Sequence, residues 1–275
     1  MVLLKSENLS KYNWFQVGGN ADVFIPDNKN ELMDFLKKNN DRIVVLGGGS
    51  NVLIKNQVDA IFILTKNFNK IEIENGFLKV GCGILNSKLY TFCRDNEVGG
   101  YEFLGTIPGT LGGAIRGNAG CYDNEIKDFL IEFETIDYNG NIKIFKKKDC
   151  NFEYRKNNLP ENLIFTSALL KIQNSTKNEI ETKYNGFLEK RKSQPVGRTA
   201  GSTFKNLPDR AAWKVVEELG YKGKEINGVK MSEKHANFLM NINGDANDIE
   251  NLINMIKNDA KKVGIDLELE IKIIK

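Results

Sequence analysis

The feature that most constrains this chain of 275 residues is a glycine-rich stretch between residues 105 and 120. Six of its sixteen residues are glycine, and apolar residues such as Ile107, Leu111 and Ile115 stand between them. A flexible linker would lack those apolar residues, so the pattern indicates ordered backbone that lies close to another group. Because such backbone presents bare N–H groups, it suits a ligand that carries phosphate.

A second glycine cluster, at residues 47–51, directly follows the strand-like run 43–46. Two separated clusters of this kind favour one long ligand, such as a dinucleotide. For either cluster alone, a tight turn or close packing between elements is the alternative interpretation. The nearest match to a Rossmann fingerprint begins at Gly81 and fails, because Asn86 stands where the third glycine is required.

Charge and cysteine usage exclude several classes of protein. The 39 basic and 36 acidic residues give a net charge of +3, which provides no general attraction to nucleic acid. No apolar run approaches the roughly 20 residues of a membrane-spanning helix, and residues 1–10 lack a signal-peptide core, so we expect a cytoplasmic protein. Four cysteines without a C-x-x-C pair and a single histidine predict reduced thiols and no metal site.

Apolar spacing predicts four helices in an α+β chain. Asn86 is the predicted N-cap of the second helix, Asp209 of the third, and either Asp245 or Asp248 of the fourth. The third helix is expected to end at Gly220. The helices carry, in order, Leu32, Phe35 and Leu36; Leu85, Leu89, Phe92 and Cys93; Ala212, Val215, Val216 and Leu219; and Ile249, Leu252, Ile253, Ile256 and Val263.

Strands are predicted between and after these helices. Asn75-Gly76 and Asn139-Gly140 predict two-residue hairpin turns, and hence antiparallel sheet in the middle of the chain. Residues 267–273 alternate between apolar and polar, which predicts a final strand with Glu268 and Glu270 on one face. The polar stretch 173–179 marks an expected domain boundary.

Seven motifs, in order along nearly the whole chain, make it resemble the UDP-N-acetylenolpyruvoylglucosamine reductase family. One such match would be weak, whereas seven in the same order are specific. Two of them read LGGGSNVLI and SEKHANF. The motifs cover residues 12–19, 46–54, 105–120, 152–155, 194–195 together with 200–206, 232–238 and 267–270.

The resemblance implies an α+β chain with an FAD-binding fold of the vanillyl-alcohol-oxidase (PCMH) type and a C-terminal α+β substrate domain. We expect FAD-binding subdomains over residues 1–60 and 61–172, and a substrate-binding domain over residues 173–275 that carries Glu270 on its last strand. FAD is expected to bind without a covalent bond. The residues expected to hold it are Gly47, Gly48, Gly49, Ser50, Asn51, Gly105, Ile107, Pro108, Gly109, Thr110, Gly112, Gly113, Ala114, Asn118, Ala119 and Gly120.

The reaction that the resemblance implies is the reduction of UDP-N-acetylglucosamine enolpyruvate to UDP-N-acetylmuramate, a step in peptidoglycan precursor synthesis. NADPH is the co-substrate: it gives a hydride to FAD and leaves, and the unsaturated substrate then takes its place. Hydride addition to the enolpyruvyl group builds negative charge beside the substrate carboxylate. That charge needs a proton and electrostatic stabilisation.

Three residues match the catalytic residues of the family. Ser202 matches the proton donor, Arg155 the arginine that pairs with the substrate carboxylate, and Glu270 the catalytic glutamate. Without the resemblance, the same residues would be interpreted as a turn serine, a surface arginine and a solvated glutamate on an amphipathic strand.

Further residues are expected near the substrate. Tyr154, Asn206 and His235 match positions close to it, with His235 as a hydrogen-bonding residue rather than a general base. Arg191 and Lys205 are candidates for binding the UDP diphosphate, although a solvated position is the ordinary interpretation of either residue.

The chain departs from the family pattern at two points. Asn157 stands where relatives commonly have a serine, which puts in doubt any hydrogen bond of that serine. Only 47 positions separate Arg155 from Ser202, which resembles the class without the long tyrosine-bearing substrate loop, so we expect UDP to be held differently.

Two other functions stay open at this point. One is a related FAD-dependent oxidase that acts on an alcohol or lactone, although neither glycine cluster contains a histidine for a covalent flavin bond. The other is an inactive FAD-binding or UDP-sugar-binding protein, which the presence of Arg155, Ser202 and Glu270 argues against.

Overall fold

A computed structural model describes residues 2–275 of the chain. Contacts within the chain divide it into two compact units. Unit 1 comprises residues 2–5, 22–48 and 60–190, and unit 2 comprises residues 6–21, 49–59 and 191–275. The division into three domains that the sequence predicts stays a prediction.

Within residues 2–275 the chain forms seven α-helices and twenty strands. The helices are α1 (Lys29–Lys38), α2 (Asn86–Asp95), α3 (Glu102–Gly105), α4 (Leu111–Arg116), α5 (Lys177–Arg191), α6 (Ala212–Glu218) and α7 (Ala246–Lys262). The strands are β1 (Val2–Asn8), β2 (Asn20–Ile25), β3 (Ile43–Leu46), β4 (Val52–Ile54), β5 (Ile61–Leu64), β6 (Ile71–Glu74), β7 (Phe77–Gly81), β8 (Val98–Gly99), β9 (Gly120–Cys121), β10 (Asn124–Glu125), β11 (Leu130–Asp137), β12 (Ile142–Lys146), β13 (Phe152–Glu153), β14 (Lys156–Asn157), β15 (Leu163–Lys171), β16 (Gln173–Asn174), β17 (Glu225–Ile226), β18 (Val229–Met231), β19 (Leu239–Asn241) and β20 (Lys272–Ile274).

The largest sheet of unit 1 has five strands in the order β12-β11-β15-β7-β6, and every neighbouring pair is antiparallel. The hairpin predicted at Asn75-Gly76 joins β6 to β7, with φ of 51° and 79° at these residues, which is the left-handed backbone that such a turn requires. The second predicted hairpin, at Asn139-Gly140, joins β11 to β12, but its loop has three residues, 138–140, rather than two. The N–H of Asp137 bonds to the carbonyl of Asn141 across that loop.

A smaller sheet of unit 1 places β5 between β2 and β3, parallel to both. α1 begins after Asn28, whose side chain accepts a hydrogen bond from the N–H of Glu31. The predicted helical spacing is confirmed, since Leu32 and Leu36 are buried. They belong to one apolar cluster with Phe24 and other residues of this sheet.

Unit 2 is built around α7, whose apolar stripe supplies much of its core. The side chain of Asp245 accepts hydrogen bonds from the N–H groups of Asn247 and Asp248, which confirms the predicted cap. α6 ends before Gly220, where φ is 76°, as predicted. Both helices join a core that includes Val215, Val216, Ile249, Leu252, Ile253 and Ile256, all 0–1% exposed.

The predicted cap of α2 is wrong. Asn86 is the first residue of the helix rather than its cap, and the preceding Leu85 makes no side-chain cap. The Asn86 amide instead donates to the carbonyl of Ile107, at 3.1 Å, and its backbone N–H donates to the carbonyl of Gly109, at 3.0 Å. The asparagine therefore ties α2 to the glycine-rich stretch.

The final strand is shorter than predicted. Only Lys272–Ile274 form a strand, which pairs in parallel with β4, and the chain bends at residues 270–271. The alternation of the sequence therefore does not extend through one continuous strand. Among the helices of residues 2–275, none has both the length and the apolar character that crossing a bilayer requires.

Candidate active site

The glycine segment, residues 105–120, forms a loop and the short helix α4 in unit 1. Thr110 begins this helix because its hydroxyl oxygen accepts a hydrogen bond from the N–H of Gly113, at 3.4 Å. The two glycine clusters meet in part, as predicted for one ligand site. A Cβ on Gly48 would lie 2.7 Å from the Cα of Gly109, and one on Gly47 would clash with the Thr110 hydroxyl. At these positions glycine is explained by close packing of backbone.

Gly113 differs from those glycines, because the chain leaves open space beside it. A Cβ there would meet only the Thr110 hydroxyl within 4 Å, at an ordinary 3.6 Å, and the residue is exposed. Glycine inside a helix costs about 1 kcal/mol relative to alanine. Since packing does not require glycine at this position, the open space fits a bound group that approaches the backbone, as FAD would.

The arginine hairpin, residues 151–158, follows in unit 1 and carries Arg155. β13 and β14 pair over only two registered pairs, and Tyr154 and Arg155 form the turn between them. Arg155 has a φ of 53°, a left-handed conformation that costs a side-chain-bearing residue about 1–2 kcal/mol. Glycine would adopt it without that cost.

The guanidinium of Arg155 lies between an aromatic ring and the glycine segment. Its Nη2 donates to the carbonyl of Gly120, at 2.7 Å, and its carbon atom lies 5.0 Å from the centre of the Tyr154 ring. Tyr154 is 47% exposed. The structure thus brings together three residues of the predicted site, Gly120, Tyr154 and Arg155.

The serine cluster lies in unit 2 and consists of Asn51, Ser202, Thr203, Asn237 and Glu270. Ser202 forms a β-bridge with Phe238, and the N–H of Thr203 donates to the carbonyl of Asn237, at 2.7 Å. On the other side, the N–H of Glu270 donates to the carbonyl of Thr203, at 2.9 Å. The segment that carries Ser202 is therefore held between residues 235–238 and residues 268–270.

Two asparagine amides fix the serine cluster. The Asn237 side chain accepts from the N–H of Phe204, at 2.9 Å, and donates to the carbonyl of the same residue, at 2.8 Å. The Asn51 amide donates to the carbonyl of Glu270, at 3.0 Å. Asn237 was missed as a site residue, since the sequence shows no signal that separates a buried asparagine from an exposed one.

The structure distinguishes Glu270 from Glu268, which the sequence could not do. Glu268 is 73% exposed and forms an ion pair with Lys205, at 2.5 Å. Glu270 is half-buried at the bend, where its backbone joins the serine cluster. The prediction that both carboxylates share one face of a strand is wrong, because the strand does not continue through them.

His235 lies beside the serine cluster as a half-buried ring. Its Nδ1 accepts a hydrogen bond from the N–H of Asn237, at 3.3 Å, so the neutral ring carries its proton on Nε2. Phe238 contacts it edge-on at 4.8 Å between ring centres. Burial lowers the pKa of His235, which keeps the ring neutral at pH 7 and leaves Nε2–H as a donor.

Asn206 has a structural partner in unit 2. Its side-chain oxygen accepts from the N–H of Ala212, at 3.1 Å, at the start of α6. The predicted cap at Asp209 is wrong, because the cap residue of α6 is Ala211, which has no side-chain acceptor, and the first N–H of the helix donates to Asn206 instead. The Arg191 guanidinium donates to the side-chain oxygen of Gln194, at 3.2 Å, and its buried Nε has no partner within residues 2–275.

Comparisons with known proteins cover the whole chain. A model of the FAD binding domain matches residues 23–146, and a model of the UDP-N-acetylenolpyruvoylglucosamine reductase C-terminal domain matches residues 192–274. The UDP-N-acetylenolpyruvoylglucosamine reductase of Rickettsia massiliae (strain Mtu5) is 40% identical over 98% of this chain and 94% of its own. That of Rickettsia prowazekii (strain Madrid E) is 39% identical with the same coverage.

A solved structure agrees with these sequence matches. UDP-N-acetylenolpyruvylglucosamine reductase from Thermus caldophilus is 28% identical, with a TM-score of 0.87 over 100% of this chain and 98% of that one. The predicted fold class, an α+β chain with an FAD-binding fold of the vanillyl-alcohol-oxidase type, is confirmed.

Proposed function

This chain belongs to the UDP-N-acetylenolpyruvoylglucosamine reductase family, and from this premise we propose how its residues reduce the enolpyruvyl ether of UDP-N-acetylglucosamine to UDP-N-acetylmuramate. The protein is an FAD-dependent oxidoreductase, a UDP-N-acetylmuramate dehydrogenase. One observation carries the assignment of residues: the N–H of Glu270 donates to the carbonyl of Thr203. This bond joins the segment of Glu270 to the segment of Ser202, so two predicted catalytic residues lie on adjacent segments.

The glycine segment is the part of the chain that would hold FAD. When bound, FAD supplies the two-electron carrier between NADPH and the carbon–carbon double bond of the substrate. The open space beside Gly113 supports this role, as does the packing of Gly47 and Gly48 against Gly109 and Thr110. The amide nitrogens of Asn51 and Asn118 each donate to a carbonyl group of the chain, which fixes the two side chains.

Arg155 binds the carboxylate of the enolpyruvyl group in this proposal. A guanidinium presents a planar pair of N–H donors that matches a carboxylate and is always charged. Addition of a hydride to one carbon of the double bond leaves negative charge on the other carbon and on the carboxylate. A fixed positive charge at the carboxylate therefore stabilises the transition state more than the ground state.

Ser202 gives the proton that completes the reaction. Its hydroxyl is a weak acid, but a carbon that carries the developing charge is basic enough to take the proton when the two are in contact. The hydride and this proton together saturate the double bond, and no group leaves. The β-bridge to Phe238 and the bonds of Thr203 support the role, since they fix the backbone on both sides of the hydroxyl.

Glu270 and His235 act beside that serine. We assign Glu270 to orienting the reacting group or the proton on Ser202, because its backbone is bonded to Thr203 and Asn51. His235 binds substrate as a neutral donor, a role that its lowered pKa supports. Tyr154 and Asn206 complete the proposed substrate residues, with the Asn206 amide nitrogen as its donor.

The cellular setting follows from the same reaction. NADPH is the proposed electron donor, and its use with a nucleotide sugar places the enzyme in the cytoplasm. The product is a precursor of peptidoglycan, so the proposed activity serves cell wall biogenesis and, through it, cell shape and division.

An anaerobic experiment tests the proposal. The purified protein should be yellow, lose its flavin absorbance with NADPH, and regain it on addition of UDP-N-acetylglucosamine enolpyruvate. Mass spectrometry should find UDP-N-acetylmuramate, heavier than the substrate by two hydrogens. UDP-N-acetylglucosamine, which lacks the enolpyruvyl group, is the matched control and should leave the flavin bleached.

The oxidase alternative predicts a different outcome. An oxidase would regain its flavin absorbance rapidly with oxygen alone and would show no response to the enolpyruvyl substrate. Acid precipitation further separates the reductase from an oxidase with a covalent flavin. A non-covalent flavin is released by the acid, whereas a covalent one stays yellow in the pellet. Retained colour would contradict the proposal that FAD is bound without a covalent bond.

A further inference from the structure

We propose that Asn157 and Asn118 are positioning residues that fix the arginine hairpin to the glycine segment and so determine where Arg155 presents its guanidinium. The inference rests on the proposed function, because it concerns the residue assigned to the substrate carboxylate. It adds two residues whose side chains act through Arg155 rather than on the substrate.

Asn157 bonds from the hairpin to the end of α4. Its amide nitrogen donates to the carbonyl of Arg116, at 2.7 Å, and to that of Ile115, at 3.2 Å. These carbonyls lie in the last turn of α4, where helices lack partners for their carbonyl groups. Its side-chain oxygen accepts from the N–H of Leu159, at 3.1 Å. One side chain thus joins the helix of the glycine segment to the strand that leaves Arg155.

Asn118 donates from the glycine segment to the arginine hairpin. It belongs to the glycine segment, is fully buried, and has a φ of 41°. Its amide nitrogen donates to the carbonyl of Glu153, at 2.9 Å, in the strand that enters the turn. Its oxygen accepts from the N–H of Lys127, at 3.4 Å. The two asparagines therefore hold both strands of the hairpin, one on each side of Arg155.

The hairpin needs such support. An isolated two-stranded hairpin is marginal in water, and this one has only two registered pairs. The left-handed backbone of Arg155 adds a cost that the pairs alone do not offset. The bond from Arg155 to Gly120 restrains the guanidinium itself, and Asn151 and Asn158 bond to each other across the open end of the hairpin. The amides of Asn118 and Asn157 join the two strands of the hairpin to the glycine segment.

A serine at position 157 would make fewer of these bonds. Its hydroxyl has one proton to donate, whereas the asparagine amide donates to two carbonyls and accepts from a third group. The asparagine therefore ties the arginine hairpin to the glycine segment more firmly than a serine at this position would. Replacement by serine should consequently give an intermediate effect.

Arg116 gives an independent connection between the same two regions. Its guanidinium donates to the carbonyls of Leu159, Pro160 and Leu163, at 3.3, 2.9 and 3.4 Å. These bonds lie beyond the hairpin and do not include the strands that flank Arg155. Loss of one asparagine should therefore loosen the hairpin while the glycine segment and its flavin remain in place.

The experiment compares Asn157→Ala and Asn157→Ser with Asn162→Ala, an exposed asparagine of the same stretch. All variants are studied as FAD-loaded protein, and flavin content should equal that of the wild type. Hydrogen exchange of residues 151–158 should rise in Asn157→Ala and not in the control. Binding of UDP-N-acetylglucosamine enolpyruvate by calorimetry, and its reduction by stopped flow, should weaken by about 10–100-fold, which is the effect of a displacement near 1 Å. Flavin reduction by NADPH should not change.

A combination with Arg155→Ala separates positioning from general stability. If Asn157 acts through Arg155, then Asn157→Ala should cause no further loss of substrate reduction in the Arg155→Ala background. An additional loss of the same size in that background would overturn the inference, as would a single variant with wild-type binding and reduction. If Arg155→Ala itself had no effect on the substrate, the proposed function of Arg155 would fail instead.

Asn118→Asp keeps the experiment decisive if Asn157→Ala fails to fold. The aspartate has the shape of asparagine and keeps the acceptor for Lys127, but it loses the donor to Glu153. As FAD-loaded protein, it should weaken binding of UDP-N-acetylglucosamine enolpyruvate by the same factor as Asn157→Ala. Wild-type behaviour of this variant would contradict the role of Asn118.

Discussion

Unit 1 and unit 2 carry the residues of the proposed function in different ways. In unit 1 the surface beside Gly113 is bare backbone, and the nearby amides of Asn118 and Asn157 bond to carbonyls of the chain. In unit 2 the serine cluster presents reactive side chains on short segments joined by single bridges. Backbone surfaces are sensitive to added volume, whereas side-chain sites are sensitive to truncation. The backbone surface beside Gly113 and the serine cluster should therefore respond oppositely to substitutions.

The largest effect should come from Ser202→Ala in unit 2. Loss of the proton donor should slow substrate reduction by about 10²–10⁴-fold, the usual contribution of a positioned general acid. Flavin reduction by NADPH should proceed at close to the wild-type rate, because hydride transfer to the flavin does not require this hydroxyl. Anaerobic stopped-flow absorbance of the flavin measures both steps.

A second substitution at the same position serves as a control. Ser202→Cys keeps a proton donor, so it should retain more substrate reduction than Ser202→Ala. Equal slowing of both half-reactions in Ser202→Ala would show that the serine supports the turn, and the proton donor would then have to be sought at Glu270.

The next effect should come from added volume at Gly113 in unit 1. Gly113→Val should fold, because the chain leaves space for the side chain, but the bound flavin should fall well below one per protein. Gly186→Val in α5 is the matched control, since a Cβ at Gly186 also meets nothing within 4 Å. It should keep the full flavin content. The ratio of flavin to protein absorbance measures both, and full occupancy in Gly113→Val would refute the close approach of FAD.

The sequence predicted helices and turns well where interactions between neighbouring residues determine them. The spacing of Leu32 and Leu36 predicts a helix face, and Asn75-Gly76 predicts a tight turn because both residues tolerate left-handed backbone. The glycine segment was also recognised as ordered backbone from its sequence. Contacts between distant residues determine the remainder, and these have no local signal.

Three errors have that cause. Asn86 and Asp209 were assigned as caps, but Asn86 bonds to Ile107, and the cap residue of α6 is Ala211, with Asn206 accepting from the first N–H of the helix. The chain bends at residues 270–271 because it changes partner there, from residues 203–205 to β4, both far away in sequence. The sequence drew attention to Asn118 and Asn157 but not to their hydrogen bonds, because the partners Glu153 and Arg116 are far away in sequence.

A smaller effect should separate the guanidinium of Arg155 from its left-handed backbone, both in unit 1. Arg155→Gly and Arg155→Ala both remove the guanidinium, but only glycine relieves the left-handed backbone. The glycine variant should be more stable than the alanine variant by about 1 kcal/mol in the free energy of unfolding, although both lose substrate binding. Urea denaturation of the two variants measures the difference. Equal stability would show that the turn is not strained.

The smallest effect concerns how the two units begin their helices. Thr110 begins α4 with a neutral hydroxyl, whereas Asp245 begins α7 with a carboxylate. The pKa of Asp245 lies below its ordinary value, chiefly because the N–H of Asp248 donates to the carboxylate. A carboxyl with a lowered pKa stabilises the fold above its ordinary pKa, near 4, and this contribution is lost as the pH falls through the lowered value.

Asp245→Asn should therefore remove part of the acid sensitivity of unit 2. Asparagine is as good a cap as aspartate, so stability at pH 7 should change by no more than about 0.5 kcal/mol, while Asp245→Ala should lose about 1 kcal/mol. Between pH 7 and pH 3 the asparagine variant should lose a few tenths of a kcal/mol less than the wild type. Urea midpoints at the two pH values measure this, with Thr110→Ser as the neutral control in unit 1. Equal acid sensitivity of Asp245→Asn and the wild type would show that the charge of the cap contributes nothing to stability. The charged cap of α7 and the neutral cap of α4 would then differ only in their hydrogen-bond geometry.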